Sequence, residues 1–194
     1  MKVLCIAGSP RHKGNTYLLL EKAVEGANQE GAQTELIKIA DLKISPCREC
    51  GGCDNTGKCV VDDDMQIIYP KLVDADLIIL ASPIFFGNIT ANLKAMIDRC
   101  QCLWVRKYRL GDKISEKSER RGLFISVCAG RKKDFFPAAE LVLKTFFATI
   151  DVSYSGKLFL SEVDEKGDVL LHPDFLNRAF MLGGDLAKGE KNKI

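Results

Sequence analysis

Short unbroken apolar runs alternate along the chain with longer stretches in which apolar residues recur every three or four positions. The first run, KVLCIA at 2–7, reads as a buried strand that ends in the turn Gly8-Ser9-Pro10. Residues 16–30 then place Leu19, Leu20, Ala23, Val24 and Ala27 on one stripe of a helix. The same reading predicts strands at 34–39, 76–81, 122–127 and 155–160, and helices at 62–72, 89–100, 137–150 and 174–188. The strand DLIILA at 76–81 is the most apolar and is expected at the centre of a sheet. In the helix at 89–100 the stripe is Ile89, Leu93, Met96, Ile97 and Cys100, and the polar stretch 107–121 reads as an extended loop. Strands alternating with helices are the pattern of an α/β fold whose parallel sheet is covered on both faces. Right-handed crossovers make that sheet doubly wound. With no repeat, low-complexity tract or linker, one domain is expected over 1–194, carrying a cysteine-rich loop at 45–62.

Composition narrows the partners. Of 194 residues 46% are hydrophobic and 28% charged, ordinary for a globular chain, and the net charge of +2 exerts no bulk pull toward nucleic acid or membrane. The basic clusters Arg106-Lys107, Arg120-Arg121 and Arg131-Lys132-Lys133 read as solvated loops. No apolar run reaches the ~18 residues of a spanning helix, and the start MKVLCIAGSP lacks a cleavage-site pattern. A cytoplasmic location is expected, where thiols stay reduced and a dense cysteine cluster argues for metal binding or redox chemistry.

In a doubly wound sheet, ligands bind beyond the carboxyl ends of the strands. The turn after the first strand, GSPRHKGNT at 8–16, is neither a P-loop nor a G-x-G-x-x-G fingerprint. It offers the hydroxyls of Ser9 and Thr16, the amide of Asn15 and free N–H groups at a helix N-terminus, which suit a phosphate. A plain capping turn would use the same residues. The loop SPIFFGN at 82–88 adds two aromatic rings that a flat apolar ligand would cover, and CAGR at 128–131 adds a third loop on the same edge. Together the three loops fit a phosphorylated planar cofactor, of which FMN is the economical choice.

These residues carry a family resemblance. The segments GSPRHKGNT (8–16), PCRECGGCDNTGKCVVDDDM (46–65), ASPIFFGN (81–88) and LKAMIDR (93–99) resemble the flavodoxin-like NADPH-dependent FMN reductase superfamily and, within it, the iron–sulfur flavoprotein branch. Beyond about Val127 the similarity is weak, and the third loop reads VCAGRKKDFF where a Gly/Ser-rich loop is expected. The resemblance implies a flavodoxin-like five-stranded sheet in order 2-1-3-4-5 and a homodimer or homotetramer. It implies phosphate contacts from Ser9, Arg11, Asn15 and Thr16, and flavin-ring contacts from Pro83, Ile84, Phe85, Phe86, Gly87 and Asn88. Cys128, Ala129 and Gly130 would close the site. The stripe of the helix at 89–100, Leu93 included, is expected partly against another subunit. Ferredoxin is the implied electron partner, and oxygen, peroxide or quinones are the implied acceptors.

Cys47, Cys50, Cys53 and Cys59 form the pattern C-x2-C-x2-C-x5-C. A [4Fe–4S] cube takes one thiolate at each iron, and three cysteines in one tight loop is the ferredoxin arrangement. Zinc usually draws its cysteines from two separated pairs, and an empty loop is the third reading. Three functions follow. The first is an FMN-dependent oxidoreductase that exchanges electrons with a [4Fe–4S] cluster; the second is an NAD(P)H-dependent FMN or quinone reductase without one. The third is a zinc-stabilised binding domain without flavin. Cys5 and Cys128 read as small core residues, and Cys100 and Cys102 as pointing to different faces of a helix. Trp104 is expected in the core or at a subunit interface, and His12 and His172 at the surface. Asp62, Asp63 and Asp64 read as acids that complement a helix N-terminus.

Overall fold

The computed structural model describes residues 1–131 and 133–189. Strands β1 (Lys2–Ala7), β2 (Gln33–Lys38), β3 (Leu77–Pro83), β4 (Arg121–Val127) and β5 (Ser153–Leu160) form one sheet in order β2-β1-β3-β4-β5. Every adjacent pair is parallel, as the resemblance implied. Helices α1 (Asn15–Gln29), α2 (Met65–Asp74), α3 (Ala91–Arg99), α4 (Gln101–Trp104), α5 (Phe136–Thr149) and α6 (Pro173–Lys188) cover it. Among the described residues no helix is long and apolar enough to cross a membrane.

The period-two alternation of the strands sorts side chains into two cores. Leu4 and Ile6 of β1, Ile78 and Leu80 of β3 and Phe124 of β4 pack with Ile68, Leu72, Leu93, Met96, Leu143 and Phe146 from α2, α3 and α5. Val3, Cys5, Leu77, Ile79, Leu123 and Ile125 pack on the other face with Leu19, Leu20, Ala23, Ala179 and Leu186 from α1 and α6. β3 is buried along six of its seven residues, the central strand the sequence indicated. Cys5 is a core residue, and burial pushes its thiol up to about 12.

Three expectations are corrected. Leu93 is fully buried against the body of its own chain, so this residue serves the core and not another subunit, while Ile97 of the same stripe is half-buried and lines an open groove. The stretch after α4 begins with a π-helical turn, Val105–Arg109, rather than a loop from 107. Arg120, grouped with solvated bases by sequence, is 2% exposed. Its Nε donates to Ala75 O (2.8 Å) and its Nη1 to Ile150 O (2.5 Å), while Nη2 donates to Leu72 O. Ala75 and Ile150 are the C-caps of α2 and α5, so one guanidinium satisfies carbonyls that helix ends leave unpaired. Charge patterning along the chain cannot show this, because the three acceptors come from residues far away in sequence.

Replacing Arg120 by Met should therefore orphan three buried carbonyls and lower stability by roughly 3 kcal/mol. Urea unfolding followed by circular dichroism would measure it, and a loss under 1 kcal/mol would show that water replaces the guanidinium.

Candidate functional site

The first loop leaves the sheet beside the third strand, since Gly8 N–H donates to Ala81 O (2.8 Å) and Thr90 Oγ1 to Gly8 O (2.5 Å). Ser9 Oγ accepts from Arg11 N–H (3.1 Å) and Arg11 O from Gly14 N–H (3.2 Å), which folds 9–14 into a turn. Helix α1 then starts from Gly14 at the N-cap, a residue with no side chain to satisfy the first N–H groups. Those donors sit at the positive end of a helix 15 residues long. A pocket of about 90 Å3 lies there, lined by Ser9, Arg11, Gly14, Asn15, Thr16, Pro83, Ile84, Phe85, Cys128 and Ala129 among others. The chain thus brings together most of the residues expected around a phosphorylated ligand.

The side chain of Asn15 has a different engagement. Its Nδ2 donates to Glu165 O (2.7 Å), and its Oδ1 accepts from Gly167 N–H (2.9 Å) and Val169 N–H (3.5 Å). Arg11 Nη1 also reaches this segment, donating to Asp164 O (3.2 Å). The connection after β5 is thereby tied to the turn after β1, and Val163 and Asp164 become part of the pocket wall. Sequence reading missed both, because the acceptors are main-chain atoms about 150 positions away.

The aromatic loop is a tight turn. Phe85 N–H donates to Asn88 O (2.7 Å) and Asn88 N–H to Phe85 O (3.1 Å), with Phe86 and Gly87 at φ 49° and 75° between them. That turn pushes Phe86 wholly into solvent and leaves Phe85 half exposed. Phe86, Gly87, Asn88 and Gly130 do not line the pocket. A Cβ on Gly87 would lie 3.9 Å from Phe135 and one on Gly130 3.2 Å from it, so Phe135, half exposed, bridges the two loops. Phe135 was not anticipated; its signal was the FF pair that closes the third segment. Cys128 is buried, as expected, and its Sγ lies 3.3 Å from Gly130 O.

The cysteine loop follows β2. Its neck is closed by protein bonds alone. Asp64 Oδ2 accepts from Lys43 N–H (2.6 Å), Asp63 Oδ2 from Ser45 N–H (3.0 Å), and Arg99 Nη1 donates to Asp63 Oδ2 (2.5 Å) and Ser45 O (3.0 Å). Arg99 Nη2 adds Val61 O at 3.3 Å. The acids before α2 therefore do more than complement a helix end. Inside the neck, Gly57 takes φ 62° where a Cβ would stand 2.7 Å from Arg106, so the chain can pass only as glycine. Cys47, Cys50, Cys53 and Cys59 line one cavity of about 230 Å3, together with Arg99 and Cys102. Cys100 and Cys102 do face different ways: Cys102 lines this cavity and Cys100 the neighbouring groove. Among the described residues no three His, Cys, Asp or Glu side chains are gathered to hold a single ion.

Charge in the cavity is arranged by Arg99, whose guanidinium is 1% exposed. Burial works against the Cys59 thiolate, but Val61 N–H, Tyr69 hydroxyl and Arg99 outweigh it and hold the thiol below its ordinary value. Cys53 is pushed up, chiefly by burial and by Asp54. Burial likewise opposes ionised Asp63, yet Arg99 and the N–H groups of Ser45 and Met65 keep it below the ordinary carboxylate value. Trp104 is not a core residue; partly exposed, it lines a groove of about 530 Å3 with Ile97, Leu141 and Phe146, bounded by Cys47. His12 and His172 are exposed, as read from sequence.

A parallel sheet with an uncapped helix start and an aromatic turn at its carboxyl edge defines a nucleotide-cofactor α/β protein of the flavodoxin-like kind. The chain belongs to the NADPH-dependent FMN reductase family, whose model matches residues 1–158. It is 40% identical over 125 residues to an iron–sulfur flavoprotein of Methanocaldococcus jannaschii, covering 63% of this chain and 65% of that protein. It is 40% identical over 114 residues to the iron–sulfur flavoprotein of Methanosarcina thermophila, covering 59% and 60%. The matches thus span under two thirds of those relatives' lengths. The fold is also that of an NAD(P)H:quinone oxidoreductase from Methanothermobacter marburgensis, with a TM-score of 0.74 at 17% identity over 96% of both chains.

Two outcomes follow from these bonds. Asn15→Ala should lower stability by roughly 2 kcal/mol and raise hydrogen exchange at 165–169, whereas Thr16→Val should leave that exchange unchanged. In the metal-free chain, the depressed Asp63 carboxyl contributes stability that is present above the unfolded value near 3.8 and lost as pH falls through its lower folded value. Asp63→Asn should thus be less stable at neutral pH and show a shallower acid limb; an unchanged acid limb would contradict the pairing with Arg99.

Proposed function

We propose that the chain is an FMN-dependent oxidoreductase of the iron–sulfur flavoprotein type, in which Cys47, Cys50, Cys53 and Cys59 hold a [4Fe–4S] cluster. The observation that carries this reading is the placement of the four thiols around one cavity, at the same sheet edge as the uncapped start of α1 and the aromatic turn. A single tetrahedral ion needs all four sulfurs about 2.3 Å from one point, whereas a cubane takes one thiolate at each of four corners. Thiols spread around a cavity suit the second arrangement, and Arg99, which lines the same cavity and whose buried Nε is unpartnered, suits a sulfur-rich guest.

At the flavin site, the free N–H groups of α1 with Ser9 and Thr16 would bind the phosphate. Asn15 contributes its main-chain N–H and, through its amide, the position of the 161–171 connection. Pro83, Ile84 and Phe85, with Phe86, Gly87 and Asn88 at the turn, would flank the ring, and Cys128, Ala129 and Gly130 would close the far side. Phe86 and Phe135 would shield the ring from water. FMN, when bound, supplies electron transfer in single or paired steps, and the protein supplies position and exclusion of water. No side chain is required as nucleophile or acid–base pair. A ferredoxin-like donor and small acceptors such as oxygen, peroxide or quinones fit this chemistry. The groove carrying Trp104, Leu141 and Ile97 of the α3 stripe is the face suited to a homodimer or homotetramer.

Anaerobic purification with iron, sulfide and flavin analysis tests the reading. Near four irons and one FMN per chain are expected. An iron-free yellow protein bleached by NAD(P)H would select the cluster-free reductase instead, and a colourless protein with one zinc would select the binding domain. Ser9→Ala with Thr16→Val should weaken FMN binding by roughly ten- to a hundredfold for each bond lost, at 1.5–3 kcal/mol for a bond to a charged group, without changing iron content. Cys53→Ala should lose the cluster yet stay folded and yellow, with its flavin reduced far more slowly by ferredoxin than by dithionite in stopped flow. Equal ferredoxin-driven reduction in parent and variant would make the cysteine loop a structural staple.

A further inference from the structure

We infer that Arg99 is a positioning residue for the cysteine cavity, with its Nε–H the donor reserved for a sulfur held there. The inference rests on the reading of the four cysteines as cluster ligands. Two of the guanidinium's nitrogens bond at the neck of the loop, Nη1 to Ser45 O and Asp63 Oδ2 and Nη2 to Val61 O. The third, Nε, is buried and has no hydrogen-bond partner in the chain. A buried donor left unsatisfied is costly, and native structures rarely keep one without a partner that the protein itself does not supply. The side chain that carries it lines the cavity with all four thiols. Sulfur is the acceptor that cavity would present.

The arrangement separates two tasks within one side chain. The Nη atoms fix where the loop begins and ends, and the Nε–H and the positive charge act on what the loop holds. A hydrogen bond to cluster sulfur, like a nearby positive charge, favours the more reduced and more negative state, so it raises the reduction potential. Asp63, 10% exposed and bonded to the same guanidinium, partly cancels that charge. The pair therefore sets both the geometry of the cage and the charge it feels. The other cations at the cavity, Arg48 and Arg109, are exposed, and Arg109 is paired with Asp54 at 3.0 Å.

The test uses anaerobically purified protein with iron counted first, then a dye-mediated titration of the cluster followed by electron paramagnetic resonance. Arg99→Lys keeps a positive charge for Asp63 but has no Nε–H. It should retain its iron and shift the potential negative, by on the order of tenfold in the reduction equilibrium constant, about 59 mV for one electron. Asp63→Asn removes the opposing charge and should shift the potential positive. Opposite shifts at full iron content support the role. Parent potentials in both variants, or iron lost from both with the remaining cluster at the parent potential, would overturn it and leave Arg99 a staple. If Arg99→Lys does not fold, Arg99→Gln, which lacks both the Nε–H and the charge, is titrated in its place; a negative shift at full iron content supports the role and the parent potential overturns it. An iron-free parent would overturn the cluster reading itself and this role with it.

Discussion

A sheet whose strands all run the same way sends every strand-to-helix connection out of one edge, and the site of this protein depends on that constraint. The turn after β1, the cysteine loop after β2, the aromatic turn after β3, the third loop after β4 and the connection after β5 share an edge because each pair in the order β2-β1-β3-β4-β5 is parallel. The register is held in turn by the two cores. A slip of one residue in β1 would exchange Leu4 and Ile6 with Val3 and Cys5, and both cores would be wrong at once. Packing far from the loops thus decides that the loops meet.

Two buried guanidinium groups hold the ends of this architecture. Arg120, near the amino ends of the strands, has main-chain carbonyls as partners and no carboxylate, so burial lowers its basicity. Arg99, at the carboxyl edge, has Asp63, and that pair counters the burial that would otherwise lower it. A buried ion pair is weak evidence for stability, since losing hydration offsets most of the attraction. What Arg99 and Asp63 gain is position. They bind Ser45, Val61 and Met65, and so join a strand exit, a loop and a helix start beside the apolar contacts that Ile44 and Met65 make with the core.

The sheet was legible because each strand is a short apolar run and each helix a stripe, and those periods belong to local sequence. Element ends moved by a few residues where a distant partner decided them: α2 starts at Met65 rather than 62 because Asp63 and Asp64 are spent on the loop neck. The loops were legible as motifs but their internal wiring was not. Ser9, Thr16 and Phe85 line the pocket as read, whereas the amide of Asn15 serves the loop after β5. Arg99 stood in view inside LKAMIDR without a role, since nothing local distinguishes a buried Arg at a helix end from one that meets solvent. Leu93 failed differently. A helical stripe says that a face is covered, and only the fold says whether core or partner covers it.

The neck of the cysteine loop explains how the loop can be held in place by bonds of the protein's own. In small metal-dependent domains no core exists before the ion binds, and the binding free energy is the folding free energy. Here Lys43 and Asp64 exchange two main-chain-anchored bonds, and Asp63 and Arg99 close the loop one step further in. Both cores lie outside this loop, with Cys53 and Cys59 only packing against the edge of one of them. The bonds that the carboxylates and the guanidinium make at the neck offset part of the entropy of closing the loop. The thiols are left with one task, to present sulfur to a shared cavity, and exposed Cys47 and Cys50 on its rim leave a way in.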